Sequence, residues 1–155
     1  MFQTTMGLRV REDVGEQAAV LADVDGNIRA FPKGYHTILG ERGVTVSGGQ
    51  KQRISIARGL LRNAPILILD DSVSAVDVHT ERTILQNLRR TRAGKTTLLI
   101  SHRISTVENL DQILYIKEGR VVAMGSHAQL LETCPDYRRE VRLQSLSAEG
   151  GALNG

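Results

Sequence analysis

The sequence predicts an α/β domain with a mostly parallel sheet, and three observations indicate this class. The chain has 155 residues, the length of one ordinary domain, of which 41% are hydrophobic and 24% charged, as in globular proteins. Apolar runs typical of strands alternate with segments of helical periodicity. Glycine and proline mark the boundaries between these segments. Because aromatic residues make up only 3% of the chain, we expect a core of aliphatic side chains.

The first half of the chain predicts a helix, a loop, a second helix and a strand. Residues 14–23 indicate a short helix, and 29–49 form a glycine-rich segment typical of loops. Over 50–63 apolar residues recur at helical spacing, and Pro65 then blocks any continuation of the helix. The apolar run ILILD at 66–70 predicts a strand that is buried on both faces.

The second half of the chain continues the alternation of predicted helices and strands. The segment VHTERTILQNLRR at 78–90 predicts a helix with one apolar stripe, and TTLLIS at 96–101 predicts another buried strand. The segment ILYIKEGRVVAM at 113–124 predicts a hairpin that turns at Glu118-Gly119. We expect two short helices after the hairpin to close the fold.

Composition and charge argue against an internal disulfide, a membrane-spanning segment and a nucleic-acid partner. The single cysteine, Cys134, cannot form an internal disulfide, which favours a reducing compartment. The longest purely apolar run, at 66–69, is too short to cross a bilayer. The net charge is +3, and arginines cluster at 89–92 and 138–142. Helix ends account for these clusters because cations interact favourably with the C-terminal dipole. A nucleic-acid partner is not expected, since few aromatic side chains are present to stack on bases.

The segment RTRAGKTTLLISHR at 90–103 contains Gly-Lys-Thr-Thr, which is similar to a phosphate-binding loop. Such a loop has the pattern G-x-x-x-x-G-K-[ST] and lies between a strand and the helix that it opens. Here the residue five positions before Gly94 is Arg89, a predicted helix precedes the segment, and a predicted strand follows it. We therefore interpret Gly94-Lys95 as a helix-to-strand turn in which Gly94 ends the helix.

Two acidic residues follow the first apolar run. Asp70 ends the predicted strand, at the edge where open α/β sheets bind ligands, and Asp71 comes next. A carboxylate at this position suits Mg²⁺ or one of its water ligands, and the second carboxylate can polarise an attacking water. Helix capping is the alternative interpretation, because many strands end in Asp for that reason.

The residues Ser47-Gly48-Gly49-Gln50 open the predicted helix at 50–63. The glycines let the backbone approach an anion, the helix N-terminus supplies free N–H groups and a positive dipole, and Ser47 adds a hydroxyl. A glycine-rich helix cap without a ligand is the alternative. His102 directly follows the strand at 96–101, as Asp70 ends its own strand, and a purely structural histidine is the alternative there.

With these features in this order, the sequence resembles the nucleotide-binding domain of ATP-binding cassette (ABC) transporters, a fold of the P-loop NTPase type. VSGGQ at 46–50 is similar to the family's signature motif, with Val where Leu is more usual, and ILILDD at 66–71 to its Walker B strand. SAVD at 74–77 is similar to the D-loop, and SHR at 101–103 to the switch-histidine loop. The resemblance covers about residues 14–142.

The lead-in FPKGYHTILGERG at 31–43 is similar to exporter-type members in particular. The resemblance implies that Glu41 lies in the X-loop, a segment that contacts the coupling helices of the membrane domain. It also implies an ATP-binding component, with ATP and Mg²⁺ as cofactors, that drives transmembrane transport by dimerisation of two cassettes. Its implied location is the cytoplasmic, inner face of the plasma membrane.

The sequence departs from the family pattern at its front. It contains no Walker A loop, no aromatic residue placed to stack on adenine, and no Q-loop. We therefore expect residues 14–144 to be the C-terminal part of a cassette, with a leader at 1–13 and a flexible tail at 145–155. Since nothing here would hold the β- and γ-phosphates, we expect negligible ATPase activity from the chain alone. The alternative is a non-catalytic remnant or dimerisation fragment.

Asp71 is the second departure, because the family usually has a catalytic glutamate at this position. The shorter side chain withdraws the carboxylate, and a misplacement of about 1 Å can cost on the order of 100-fold in rate. This pattern resembles the weakened-site subunit of heterodimeric ABC exporters, in which one of two composite sites hydrolyses ATP poorly. Because His102 is retained, the resemblance implies a partial impairment.

The resemblance also implies a division of roles, because each site of such a dimer joins one subunit's Walker motifs to the other's signature motif. Residues 47–50 would bind the γ-phosphate of ATP held by the partner cassette, and Asp77 would contact ATP across the dimer interface. Asp70 would bind Mg²⁺ through water. Asp71 and His102 would be the catalytic residues of the site on this subunit.

Overall fold

A computed structural model of the chain describes residues 2, 3, 9, 10, 12–39 and 45–152. Its helices are α1 (Glu12–Leu21), α2 (Asp25–Arg29), α3 (Gly48–Leu61), α4 (Val78–Thr91), α5 (Ile104–Val107), α6 (His127–Thr133) and α7 (Pro135–Ala152). Its strands are β1 (Phe2–Gln3), β2 (Arg9–Val10), β3 (Ile66–Asp70), β4 (Thr96–Ile100), β5 (Ile113–Lys117) and β6 (Arg120–Gly125). A short 3₁₀ helix, Gly34–His36, interrupts the segment predicted as loop.

The strands of the described residues pair in three two-stranded sheets. β3 and β4 are parallel, with Ile66 opposite Thr96 and Asp70 opposite Ile100, and α4 connects them. The pairs β1–β2 and β5–β6 are antiparallel. The predicted α/β class, the parallel pair and the C-terminal hairpin are therefore confirmed, although the parallel sheet has only two strands within the described ranges.

The chain forms two compact units, residues 1–100 and 101–155. In the first unit the core is aliphatic, as the composition predicts, and it gathers side chains from α1, α3, α4 and β3. Ala22, Val24 and Ile84 are fully buried, and Ile56 is 1% exposed. α4 contributes Ile84 and Leu88, which lie one helical turn apart and thus on one face.

The prediction that both central strands are buried on two faces is wrong. In β3 the buried residues Leu67 and Leu69 alternate with Ile66 and Ile68, each 60% exposed. In β4, Leu98 and Ile100 are 43% and 45% exposed. Because alternate residues of a strand point to opposite faces, the core covers one face of this sheet, and within the described residues the other face is open.

The helices at 50–63 and 78–90 are confirmed, with boundaries that local signals explain. α3 starts two residues earlier than predicted, at Gly48, because Ser47 caps it. α4 is followed by Gly94 with φ +77°, the left-handed conformation of a helix stop. The helix predicted at 14–23 is observed as α1, Glu12–Leu21.

Three features of the helices were not predicted. α2 and α5 have only five and four residues, too few for a periodic pattern. α7 has 18 residues and continues through Ala152, so the part of the expected tail at 145–152 is helical.

The second unit combines the β5–β6 hairpin with α5, α6 and α7. Glu118 and Gly119 have φ values of +51° and +72°, as a two-residue hairpin turn requires, so the predicted turn is confirmed. The core cluster here consists of Ile113, Leu130, Cys134 and Tyr137, with Cys134 only 4% exposed. No helix in the described ranges has both the length and the apolar character that a membrane crossing requires.

Candidate functional site

The Gly94-Lys95 segment is a turn between α4 and β4, as predicted, and not a phosphate-binding loop. The ammonium group of Lys95 donates to the backbone carbonyl of Asn63 at 3.3 Å and also to that residue's side-chain oxygen. Lys95 therefore joins this turn to the loop that precedes β3, which is a structural role.

Arg92, one of the clustered arginines, is also structural. The residue is 6% exposed, and its guanidinium donates to the carbonyls of Ala64 and Thr96 at 3.1 Å and to the hydroxyl of Thr97 at 3.0 Å. These bonds tie the end of α4 to the starts of β3 and β4. For Arg92, these contacts agree with the interpretation of the arginines at 89–92 as a helix end rather than a nucleic-acid surface.

The acidic pair lies at the carboxyl end of the parallel sheet. Asp70 is the last residue of β3, and the amide of Asp71 donates to the carbonyl of Ile100 at 3.0 Å, which extends the strand pairing by one step. Both aspartates are exposed. Within the described part of the chain, no group hydrogen-bonds to either carboxylate, so the structure leaves both side chains available to a ligand.

Asp71 has a left-handed backbone, with φ +45°. Aspartate and asparagine adopt this conformation more readily than most residues other than glycine. The conformation starts a turn at residues 71–77, which we call the post-strand turn and which leads into α4. Two side-chain hydroxyls support its first part: Ser72 Oγ donates to the carbonyl of Asp70 at 3.1 Å, and Ser74 Oγ donates to that of Asp71 at 2.9 Å.

The Ser47–Gln50 segment forms a complete capping box at the start of α3. The amide of Gln50 donates to Ser47 Oγ at 3.2 Å, and the amide of Ser47 donates to Gln50 Oε1 at 2.9 Å. Ser47 and Gly48 are exposed. Because the amide of Gln50 donates to the cap, the amides of Gly48 and Gly49 are the ones that can bind an external acceptor together with the helix dipole.

The two glycines of this segment have different surroundings. A Cβ atom at Gly49 would lie 2.7 Å from the carbonyl oxygen of Ala75, closer than packed atoms approach. A Cβ atom at Gly48 would meet only the Cβ of Ala75, at an ordinary 3.8 Å. The absence of a side chain at Gly49 therefore lets α3 pack on the post-strand turn, in addition to any approach to an anion.

Gln52 makes the contact that sequence reasoning missed. Its side-chain amide donates to the carbonyl of Asp71 at 3.1 Å and to Ser74 Oγ at 2.9 Å, and it accepts from the amide of Ala75 at 2.9 Å. The sequence offered no signal for this role, because a polar residue on an amphipathic helix is ordinarily solvent-facing. The structure thus joins the predicted anion-binding turn and the acidic strand end through one side chain.

Asp77 caps α4. Its Oδ1 accepts from the amide of Thr80 at 3.0 Å, and hydrogen bonding from the Thr80 backbone holds the pKa of Asp77 below its ordinary value. The side chain is nevertheless exposed, so the cap and the predicted contact across a dimer interface are compatible.

His102 and Glu41 were predicted as a catalytic residue and as a contact with the membrane domain. His102 belongs to the second unit, where it is exposed and its backbone carbonyl accepts from Gln144 Nε2 at 2.8 Å. Its catalytic role stays a prediction. Glu41, assigned to the X-loop, lies outside the described residues.

The segment that leads toward Glu41 is held by a polar network. The carboxylate of Asp25 accepts from the Tyr35 hydroxyl at 2.6 Å and from Arg29 Nε at 2.9 Å, and Arg29 Nη2 donates to Glu16 at 2.9 Å. The hydrogen bond from Tyr35, followed by the interaction with Arg29, lowers the pKa of Asp25, whereas burial and the Asp25 carboxylate raise that of Tyr35.

In this site a capped helix that begins with glycines packs on the turn after an acidic strand end. This arrangement is the one expected of an ATP-binding cassette, and the comparisons with known proteins support that class. A family model described as ABC transporter matches residues 2–74, so it includes part of the expected leader. The chain is 51% identical over 115 residues to ABC transporter ATM1 of Toxoplasma gondii, covering 74% of this chain and 10% of that protein. It is 48% identical over 139 residues to the probable multidrug resistance ABC transporter ATP-binding/permease protein YheI of Bacillus subtilis, covering 88% and 24%.

A solved structure of a bacterial Atm1-family ABC exporter with ATP bound matches with a TM-score of 0.83 and 39% identity, over 89% of this chain and 24% of that chain. The chain belongs to the ABC transporter family and is part of the nucleotide-binding domain of an exporter-type member. It spans between 10% and 24% of the length of the curated relatives that it matches.

Proposed function

We propose that this chain supplies part of the ATP-driven motor of an ABC exporter and acts by dimerisation with a second cassette. The observation that carries the proposal is the exposed first turn of α3, where Ser47 caps the helix and Gly49 packs on the carbonyl of Ala75. This packing holds free helix N–H groups beside the turn that follows two exposed carboxylates. The N–H groups bind nucleotide phosphates directly, and the carboxylates act on the phosphates through a metal ion.

The two groups serve different ATP molecules in this proposal. Residues 47–50 bind the γ-phosphate of ATP held by the partner cassette, and exposed Asp77 contacts the same nucleotide. Asp70 and Asp71 belong to the site on this subunit, and a catalytic role is proposed for His102 as well. The ATP-bound exporter that matches this chain supports the choice of nucleotide.

Asp70 fits a Mg²⁺ site. Its carboxylate is exposed at the strand end, and Mg²⁺ on a nucleotide keeps several waters and takes only one or two protein carboxylates. Bound Mg²⁺ supplies charge neutralisation at the phosphates. Asp70 would accept a hydrogen bond from a water of the ion, and Asp71 would orient the attacking water.

Asp71 makes the site on this subunit the weaker one. Its carboxylate is one methylene shorter than that of the glutamate usual in the family, and a displacement of about 1 Å can cost on the order of 100-fold in rate. The partner therefore carries most of the hydrolysis, and residues 47–50 of this chain serve the partner's site.

The assembly also places the chain at a membrane. Relatives named as an ATP-binding/permease protein and as an exporter combine a cassette with transport, which supports a membrane-domain partner for this chain. Glu41 is the proposed contact with that domain, and the cytoplasmic, inner face of the membrane is the proposed location.

Three substitutions in the assembled transporter test this division of roles. Ser47→Arg should abolish ATP hydrolysis, because it fills the phosphate-binding turn that serves the stronger site. Asp71→Asn should reduce hydrolysis much less, and asparagine tolerates the backbone conformation observed there. Ser55→Arg, at an exposed position of the same helix, is the matched control and should retain activity. A larger loss from Asp71→Asn than from Ser47→Arg would overturn the assignment.

A further inference from the structure

The side-chain amide of Gln52 is the main polar link between α3 and the post-strand turn. It makes three of the four hydrogen bonds available to a glutamine amide, two as donor and one as acceptor. The partners are Asp71, Ser74 and Ala75, so the contacts extend over residues 71–75 of the turn. A single side chain thus fixes the conformation of this segment against the helix.

The bonds form a closed network. Gln52 Nε2 donates to Ser74 Oγ at 2.9 Å, Ser74 Oγ donates to the carbonyl of Asp71 at 2.9 Å, and Gln52 Nε2 also donates to that carbonyl at 3.1 Å. The bond between Gln52 and Ser74 is partly buried, so water competes less with it than with a bond at an exposed site. The network requires both a donor and an acceptor on one side chain, a combination that an amide provides and that a carboxylate or an alkyl group does not.

Ala75 is held from two sides. Its amide donates to Gln52 Oε1 at 2.9 Å, and its carbonyl oxygen faces the position where a side chain at Gly49 would be. Gly49 and Gln52 lie three residues apart on α3 and therefore on one face of the helix. The post-strand turn is thus fixed both in its distance from α3 and in its register along it.

We propose that Gln52 is a positioning residue that couples the two ATP half-sites carried by this chain. The coupling rests on the proposed function, in which the start of α3 serves the partner's ATP and Asp71 serves the ATP of this subunit. Gln52 contacts no nucleotide in this proposal. Because it bonds directly to the backbone of Asp71 from the helix that Ser47 caps, a displacement at either half-site moves the other.

The test compares Gln52→Met with Gln86→Met in the assembled transporter. Gln86 lies on the exposed face of α4 and provides the same chemical change without these contacts. For Gln52→Met we expect kcat for ATP hydrolysis to fall about 10- to 100-fold, because loss of the contact misplaces the start of α3, which serves the partner's stronger site. KM for ATP should change by less than about threefold, because the partner cassette holds that nucleotide. Gln86→Met should match the unsubstituted protein in both.

Gln52→Glu distinguishes two causes of a lower kcat, the loss of positioning by Gln52 and a loss of folding. Glutamate keeps the acceptor for the Ala75 amide but loses the donor to Asp71, so its kcat should lie between those of the unsubstituted protein and Gln52→Met. A kcat for Gln52→Met within about twofold of the unsubstituted value would overturn the proposal. An equal loss of kcat in the Gln86→Met control would overturn it as well.

Hydrogen exchange in the 155-residue chain tests the same contact without ATP hydrolysis. The Ala75 amide should be protected in the unsubstituted chain and in Gln86→Met, partly protected in Gln52→Glu, and at least about 10-fold less protected in Gln52→Met. Unchanged protection in Gln52→Met would show that Gln52 does not hold the turn. If the unsubstituted transporter hydrolyses no ATP, the proposed function fails, while the exchange result still decides whether Gln52 positions Asp71.

Discussion

At Gly49 a single hydrogen atom in place of a methyl group decides whether α3 can pack on the post-strand turn. The contact is with a backbone carbonyl, which cannot rotate away as a flexible side chain would. At Gly48 the same added methyl group would make an ordinary contact. The two adjacent glycines therefore offer a matched comparison of packing and helix propensity.

Gly49→Ala should destabilise the folded chain by about 1–3 kcal/mol, because the added Cβ displaces the post-strand turn. Gly48→Ala should be neutral or should stabilise the chain by up to about 1 kcal/mol, because alanine favours the helix and its Cβ fits. Urea unfolding followed by circular dichroism measures both. Equal changes in the free energy of unfolding would mean that Gly49 does not contact the turn as described.

Side-chain roles divide sharply into those that the sequence predicted and those that it did not. Gly94 was predicted as a helix stop, and a helix cap was the alternative interpretation of the Ser47 segment, because cap chemistry acts within a few residues. Gln52 and Arg92 bond to groups that lie far away in sequence, up to 28 residues for Arg92. Neither residue type nor spacing encodes such distant contacts.

At the scale of elements, the α1–α2 region contains a network that makes stability depend on pH. Asp25 has a pKa below its ordinary value in the folded chain, first because of the hydrogen bond from Tyr35. A carboxyl group with a lowered folded-state pKa contributes stability above its unfolded pKa, near 4, and loses that contribution as the pH falls through the folded value.

Tyr35→Phe should therefore lower the free energy of unfolding at pH 7 more than at pH 3, with a difference of at most about 1 kcal/mol because the Asp25 side chain still has contact with solvent, at 21% exposure. Phenylalanine keeps the ring that lies 5.9 Å from the Arg29 guanidinium, so the comparison isolates the hydroxyl. Urea titrations at the two pH values provide the measurement. A destabilisation that is equal or larger at pH 3 would contradict the role of Asp25.

The elements also show where periodicity stops being informative. α3, α4, β3 and β4 were predicted from periodic or apolar runs, and Pro65 and Gly94 marked the ends of the two helices. Burial of the strands was not predicted correctly, since ILILD has the same sequence whether one face of the strand is covered or two. How many layers cover a sheet depends on other segments of the molecule.

At the scale of the whole molecule, each unit has an apolar sheet face that is open within the described residues. In the first unit this face includes Ile66 and Ile68, each 60% exposed. In the second, Ile116 and its strand partner Val121 are 61% and 57% exposed. Apolar faces of this kind are typical of surfaces that other protein segments cover, which agrees with a chain that spans 10% and 24% of the length of the two curated relatives named above.

The central claim is that residues 47–50 and the Asp70-Asp71 pair are parts of two ATP sites, each of which needs groups from outside these 155 residues. Isothermal titration of the purified chain with Mg-ATP, after circular dichroism has shown that it is folded, tests this claim most directly. We predict no saturable binding up to about 1 mM nucleotide, because neither half-site alone encloses the phosphates. Stoichiometric binding with a Kd of about 10 μM or tighter would contradict the account.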